Sequence, residues 1–206
     1  MRIESISPKP DRAGRYYVRL EDGSSIRLYR QTVEDHHLYA GLELTQQQLE
    51  ALREDAGVMS AKMRAVRIVA ASAVSKRDLQ QRLERKGENP QQAREAVEWM
   101  EALHLVDDRE TARQVVSRCA DRGYGLARAK QALYEKKIPK EYWEEALADF
   151  PDQTEAILAY LHNKLDEDSD QRDVRRVTDG LLRRGHNYGE IRKALRMLNS
   201  DYDLED

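Results

Sequence analysis

The chain has 206 residues, 35 of them basic and 38 acidic, and a net charge of −3, a balance that excludes any argument from bulk positive charge to nucleic acid. It has no run approaching the roughly 18–20 uncharged apolar residues of a membrane span, and its N-terminus (MRIESISPKPDR) lacks the apolar stretch of a secretory signal. Its single cysteine, Cys119, supplies neither a disulfide nor a thiolate pair for zinc, so a cytoplasmic protein with Cys119 as a small buried hydrophobe is expected.

In chain order, Tyr16-Tyr17-Val18-Arg19-Leu20 and Ser25-Ile26-Arg27-Leu28-Tyr29 are alternating runs rich in aromatic and β-branched residues. They are joined by Glu21-Asp22-Gly23-Ser24, a hairpin signal. Arg2 to Ser7, with Ile3 and Ile6, adds a third short strand of imperfect alternation before Pro8-Lys9-Pro10. From Thr45 onward the apolar period is helical and no strand signal returns.

The remainder carries an internal repeat. Leu79–Gly87, Ala129–Lys137 and Val177–Gly185 align without gaps, placing leucines at 83, 133 and 181, offsets of 50 and 48 residues. Ten positions beyond each segment's last residue lie Val97, Leu147 and Leu195, all apolar, so one period is long enough for three helices. Ser75-x-x-Asp78, Asp152-x-x-Glu155 and Asn187-x-x-Glu190 have the form of capping boxes. Asn89-Pro90 marks another helix start, and Pro139 fits the equivalent place in the second unit. Gly87, Gly123 and Gly185 fall where a helix ends in the left-handed conformation. The expected fold is therefore mainly α: tandem three-helix repeats forming an elongated array, preceded by a small N-terminal β-hairpin element. The boundaries are 1–57 for the hairpin and a short helix, 58–106, 107–150 and 151–198 for the three repeats, and 199–206 for an acidic tail.

Near-zero net charge hides an alternation. Residues 60–87 carry eight basic and two acidic side chains, 88–110 two and seven, 111–140 eight and two, 141–170 one and ten, and 171–198 eight and three. The leading helices of each repeat are read as basic. The sequel is acidic in two repeats, and in the third only the tail Asp201, Asp203, Glu205 and Asp206 is acidic. If equivalent helices share a side of the array, the basic ones form an extended cationic face with Tyr124 and Tyr134 near its centre. The plainer reading is a set of solvated helix faces carrying local ion pairs.

The run Ser75-x-x-Asp78-Leu79-x-x-x-Leu83-x-x-Lys86-Gly87, then Leu105-Val106-Asp107-Asp108 with Thr111-Ala112, then Arg122-Gly123-Tyr124-Gly125 with Ala129-x-x-x-Leu133-x-x-x-Lys137-Ile138, resembles the bacterial RecX regulatory proteins. Leu182-Arg183-Arg184-Gly185-x-x-x-x-x-Ile191 and the Leu38-x-x-Gly41-x-x-Leu44 step belong to the same resemblance. It covers about 60–198 well and the first 59 residues loosely, and its specificity lies in the order of degenerate leucine and glycine spacings over that length. The resemblance implies tandem three-helix repeats and a protein that binds the RecA recombinase filament on single-stranded DNA, usually inhibiting its ATPase and strand exchange. Two positions depart from the family pattern: Ser72 stands where many relatives have arginine, and Lys137 where the second repeat usually has glycine.

No catalytic constellation emerges. The histidines at 36, 37, 104, 162 and 186 are scattered without HExxH or a paired acid one turn away, and His104 is read as packing at a helix end. Asp166-Glu167-Asp168-Ser169-Asp170 imitates the opening of a calcium loop but has Gln171 where glycine is required and Val177 where the closing glutamate belongs. Asp107-Asp108 reads as a helix cap, Gly123-Tyr124-Gly125 as a helix junction, and Trp99 and Trp143 as packing residues. Expected cofactors, metals and catalytic residues are none.

The expected partner-binding residues are Arg118, Arg122, Tyr124, Arg128, Lys130, Lys136 and Lys137 in the middle repeat. Arg82, Arg85 and Lys86 extend them on one side, and Arg183 and Arg184 on the other. The expectation is a monomeric, non-enzymatic regulator of a RecA filament with no membrane contact. The alternative is a helical-repeat protein that occupies single-stranded DNA directly.

Overall fold

The computed structural model describes residues 1–166 and 168–198, and the chain divides into two compact units, the first Met1–Val106 and the second from Asp107 onward. The expected acidic tail, 199–206, lies outside the described residues.

The first unit opens with β1 (Ile3–Ile6), β2 (Arg15–Leu20) and β3 (Ser25–Tyr29), an antiparallel sheet in the order β1-β2-β3. The β2–β3 connection closes as a hairpin, with Gly23 at φ +81° and the Leu20 N–H donating to the Ser24 carbonyl. The register of β1 shifts between Ile3 and Ser5, a bulge that explains why RIESIS alternates imperfectly yet pairs with β2. Ile3, Val18, Leu20 and Leu28 point to one face and are sealed by Leu49 and Leu52.

Those two leucines come from a helix that serves two cores. After α1 (Arg30–Asp35), α2 (Gln46–Ala71) starts from a capping box: Thr45 Oγ1 accepts from the Gln48 N–H while Gln48 Oε1 accepts from the Thr45 N–H. Its first turns cover the sheet. Its later turns, through Ala61 and Ala65, join Leu79 and Leu83 of α3 (Lys76–Arg85) and Ala93, Val97 and Met100 of α4 (Pro90–Ala102). α2 runs unbroken through position 57, so sheet and first repeat share one helix. Gly57 lets α2 approach the Gln92 amide of α4, where a Cβ would collide. Ser75 caps α3 by accepting from the Asp78 N–H, and Asn89 with Pro90 at the first helical position starts α4, as the spacing predicts.

The second unit contains α5 (Asp108–Asp121), α6 (Leu126–Glu135), a 3-10 turn (Lys140–Tyr142) preceded by Pro139, α7 (Trp143–Ala148), α8 (Thr154–His162), α9 (Gln171–Arg183) and α10 (Tyr188–Leu198). One core gathers Ala112, Val115, Val116, Leu133 and Ile138, with Trp143 and Phe150 against it. The other gathers Ile157, Leu161, Val174, Leu181, Ile191 and Leu195. Leu83, Leu133 and Leu181 are all fully buried, each contributing about 1.5–3 kcal/mol of apolar transfer. Cys119 is buried, and burial pushes its thiol pKa up.

Two expectations are corrected here. The leading helix of the third repeat, α8 (TEAILAYLH), carries no lysine or arginine; the basic run begins one helix later, on α9, because α8 is a short, largely apolar helix that buries Ile157 and Leu161 in the core it shares with α9 and α10. Asp152 does not form a box with Glu155. Its carboxylate accepts from the backbone N–H and hydroxyl of Thr154, and Gln153 takes the N-cap position. The box at Asn187 and Glu190 forms reciprocally, at 3.2 and 2.9 Å. Asp170 and Asp173 add another at the start of α9, so the acidic 166–170 stretch ends as a helix cap.

Candidate partner-binding site

Each repeat's second helix ends in one left-handed residue: Gly87 at φ +89°, Lys137 at φ +57° and Gly185 at φ +88°. The following N–H then folds back onto the carbonyl of the repeat's buried leucine: Glu88 to Leu83, Ile138 to Leu133, His186 to Leu181, at 3.1–3.2 Å. This closure fixes one side chain per repeat, pointing back into the structure, and the chemistry differs each time. Glu88 accepts from Arg64 Nε at 2.6 Å and Ser60 Oγ at 3.2 Å, tying α3 to α2. Ile138 is buried among apolar neighbours. His186 reaches Gly123, in the loop between α5 and α6, with Nε2 3.0 Å from the carbonyl oxygen.

That last contact belongs to an interlocked junction between the second and third repeats. The Gly125 N–H donates to the Arg184 carbonyl at 2.9 Å and the Ala127 N–H to the Gly185 carbonyl at 3.2 Å. A Cβ at Gly125 would run into the Gly185 backbone, and one at Gly185 into the Arg128 backbone. The Arg184 guanidinium lies 4.8 Å from the centroid of Tyr124 and 5.4 Å from that of Tyr160, and donates through Nη2 to the Arg122 carbonyl at 2.8 Å. Gly123-Tyr124-Gly125 is thus a helix junction, as its sequence suggested. His186 is 3% exposed, and burial, opposed by its bond to Gly123, pushes its pKa below the usual 6.5. Its Nδ1 is buried without a hydrogen-bond partner.

The expected cationic residues divide between the units. In the first, Arg82 pairs with the buried Asp78 at 2.8 Å, Arg85 Nε reaches the Gln81 carbonyl at 3.3 Å, and Lys86 caps α3. In the second, Arg118 is exposed on the last turn of α5, Arg122 caps that helix, and Lys136 caps α6. Arg128 pairs with Glu135 at 2.9 Å, which with Gln131 holds that carboxylate below its ordinary pKa. Lys130 is exposed and lies between Leu126 (40% exposed) and Tyr134 (68%) at i−4 and i+4, so α6 presents one stripe of apolar, cationic and aromatic side chains. Arg183 is exposed beside Leu182, whereas Arg184 and Tyr124 are engaged with one another.

Leu126, Tyr160 and His186 had no place among the expected site residues. A histidine directly after a helix-ending glycine was their one sequence signal, because that position is folded inward. Among the described residues, no three histidine, cysteine, aspartate or glutamate side chains converge as a metal site, and no helix is long and apolar enough to cross a membrane.

Comparison with known proteins places this geometry. Residues 107–147, which contain α5, α6 and all but the last residue of α7, match the family model "RecX, second three-helix domain". Regulatory protein RecX of Clostridioides difficile (strain 630) is 24% identical over 211 residues, covering 98% of both chains. Regulatory protein RecX of Xanthomonas campestris pv. campestris (strain B100) is 32% identical over 146 residues, covering 69% of this chain and 87% of the relative. A crystal structure of regulatory protein RecX superposes with a TM-score of 0.65 at 18% identity, covering 97% of this chain and 98% of the other. That of RecX from Lactobacillus salivarius gives 0.60 at 19%, covering 70% and 97%. With three-helix repeats closed at Leu83, Leu133 and Leu181 and relatives of this similarity, the chain belongs to the RecX family of regulatory proteins.

Proposed function

We propose that this chain binds the RecA recombinase filament on single-stranded DNA and lowers its ATPase and strand-exchange activity, acting by binding and without catalysis. Membership of the RecX family carries the reading. The stripe Leu126, Lys130 and Tyr134, together with Arg118, Arg122, Arg128, Lys136 and Lys137, supplies the contact in the second repeat. Arg183 continues it in the third repeat, and Arg82, Arg85 and Lys86 are the contacts of the first unit. Arg184 and Tyr124 serve this surface by holding the second and third repeats together. Regulation follows if the protein prefers one state of the filament over another, since a ligand shifts an equilibrium only by its differential affinity.

The test is the DNA-dependent ATPase rate of the cognate RecA, titrated with this protein at two salt concentrations alongside its binding to DNA alone. A dose-dependent fall at substoichiometric protein, where DNA-only binding is too weak to account for it, supports the reading. An unchanged rate with folded protein overturns it.

Direct occupancy of single-stranded DNA is the second reading. It is favoured by the exposed Tyr134 one turn from Lys130, the pairing of stacking ring and cation that single-strand binders use. It requires inhibition to fall steeply with salt in parallel with DNA affinity.

A further inference from the structure

The junction between the second and third repeats rests on a histidine that folds in its neutral form. His186 Nε2 lies 3.0 Å from the Gly123 carbonyl oxygen, which can only accept, so Nε2 carries the ring proton and Nδ1 is the bare nitrogen. That Nδ1 is buried and meets no acceptor. A second ring proton would therefore place a donor and a full charge in a closed space. The charged groups that influence the ring are Arg184, which opposes protonation, and Glu190, which favours it. Glu190 is already held, its carboxylate accepting from the Asn187 N–H. Across the junction, Arg122 and Tyr124 stand on either side of the Gly123 that His186 contacts, and the guanidinium of Arg128, in the first turn of α6, is paired with Glu135.

The rest of the junction has no slack to absorb a displaced ring. Gly125 and Gly185 touch backbone to backbone, and the amides of Gly125 and Ala127 are spent on the carbonyls of Arg184 and Gly185. We infer that these two repeats are joined by a proton-sensitive clasp: neutral His186 holds it closed, and a proton on Nδ1 opens the pairing of residues 123–127 with 184–186. The inference rests on these contacts alone and is independent of what the surface binds.

The experiment is amide hydrogen exchange by NMR on the full chain between about pH 7.5 and 5, corrected for intrinsic exchange, with the His186 ring shifts followed in the same samples. Gly125 and Ala127 report the clasp, and Ala93, which donates to the Asn89 carbonyl in the first unit, is the control. Protection at Gly125 and Ala127 is expected to drop about tenfold or more as the ring titrates, with Ala93 unmoved. In His186→Gln the amide donates to Gly123 and does not titrate, so protection should stay level. Junction amides that stay protected while the wild-type ring titrates overturn the inference. So does an equal acid loss in His186→Gln; and if that variant does not fold, the wild-type ring and amides decide alone.

Discussion

The guanidinium of Arg184 stacks 4.8 Å from the ring centroid of Tyr124 while bonding to the carbonyl of Arg122, so one side chain from the third repeat grips two points of the loop that opens the second repeat's α6. Its neighbour Arg183 is exposed to solvent. These adjacent arginines should separate cleanly. Arg184→Ala removes two cation–π contacts and a charge-assisted hydrogen bond, an expected loss of about 2 kcal/mol in urea unfolding. Arg183→Ala should change stability by less than about 0.5 kcal/mol, yet weaken the proposed inhibition of the RecA ATPase.

The glycines at helix ends differ in what surrounds them. Gly87 has a left-handed backbone with nothing within 4 Å of a would-be Cβ, so Gly87→Ala should cost only the conformational term, about 1 kcal/mol. Gly185→Ala adds a collision with the Arg128 backbone to the same term, and Gly125→Ala, whose φ is −76°, is a collision alone. Both should cost about 3 kcal/mol or more. Equal losses at all three positions would show that the clasp relaxes freely.

Leucines at 83, 133 and 181 made the repeat legible, because a fully buried position tolerates little else and recurs in register. The hairpin was legible from Asp22-Gly23 and two alternating runs. Charge was less informative. The count over 171–198 was correct, but charge does not identify the helix that carries it, and α8 separates the basic run from the start of its repeat. The site suffered for a related reason. Arg184 and Arg183 are equivalent as letters, and only packing assigns one to Tyr124 and leaves the other facing water. His186 was indistinguishable from other lone histidines until the closure onto Leu181 turned it inward.

Acid sensitivity follows from His186. Its folded pKa lies below the unfolded value of 6.5, so its contribution to stability is complete above that value. As the pH falls through 6.5 the unfolded chain takes the proton first, and stability declines until the lowered folded pKa is passed. The urea midpoint of the second unit's transition should therefore fall between about pH 6.5 and 5, before carboxylates such as Glu135 and Glu145 begin to titrate. His186→Gln should flatten that limb of the profile. An unchanged slope would assign the loss to other groups.

Glu88 is His186's counterpart in the first repeat, and its anchor is an ion pair. Its side chain is 8% exposed and accepts from Arg64 and Ser60, both on α2. Truncation by Glu88→Ala leaves a partly covered guanidinium without its acceptor, an expected cost of about 2 kcal/mol. Glu88→Gln keeps the shape and one hydrogen bond and should cost about half as much. Because the contact lies within the first unit, both losses should appear in its unfolding transition and leave the amides of Gly125 and Ala127 as protected as before.

Lys137 offers a separation of stability from binding in the opposite sense. It takes φ +57°, where its two counterparts are glycines, and the chain still closes with the Lys137 N–H on Tyr134 and the Ile138 N–H on Leu133. A side chain in the left-handed region costs about 1 kcal/mol relative to glycine. Lys137→Gly should therefore stabilise the second unit by up to about 1 kcal/mol, less whatever the lysine's own side-chain contact contributes. The same substitution deletes a cation three residues after Tyr134, so the proposed inhibition of the RecA ATPase should require more protein. A variant that is both more stable and a weaker inhibitor would mean that Lys137 is kept at a strained position for its charge. A variant that is more stable and equally inhibitory would remove Lys137 from the contact surface.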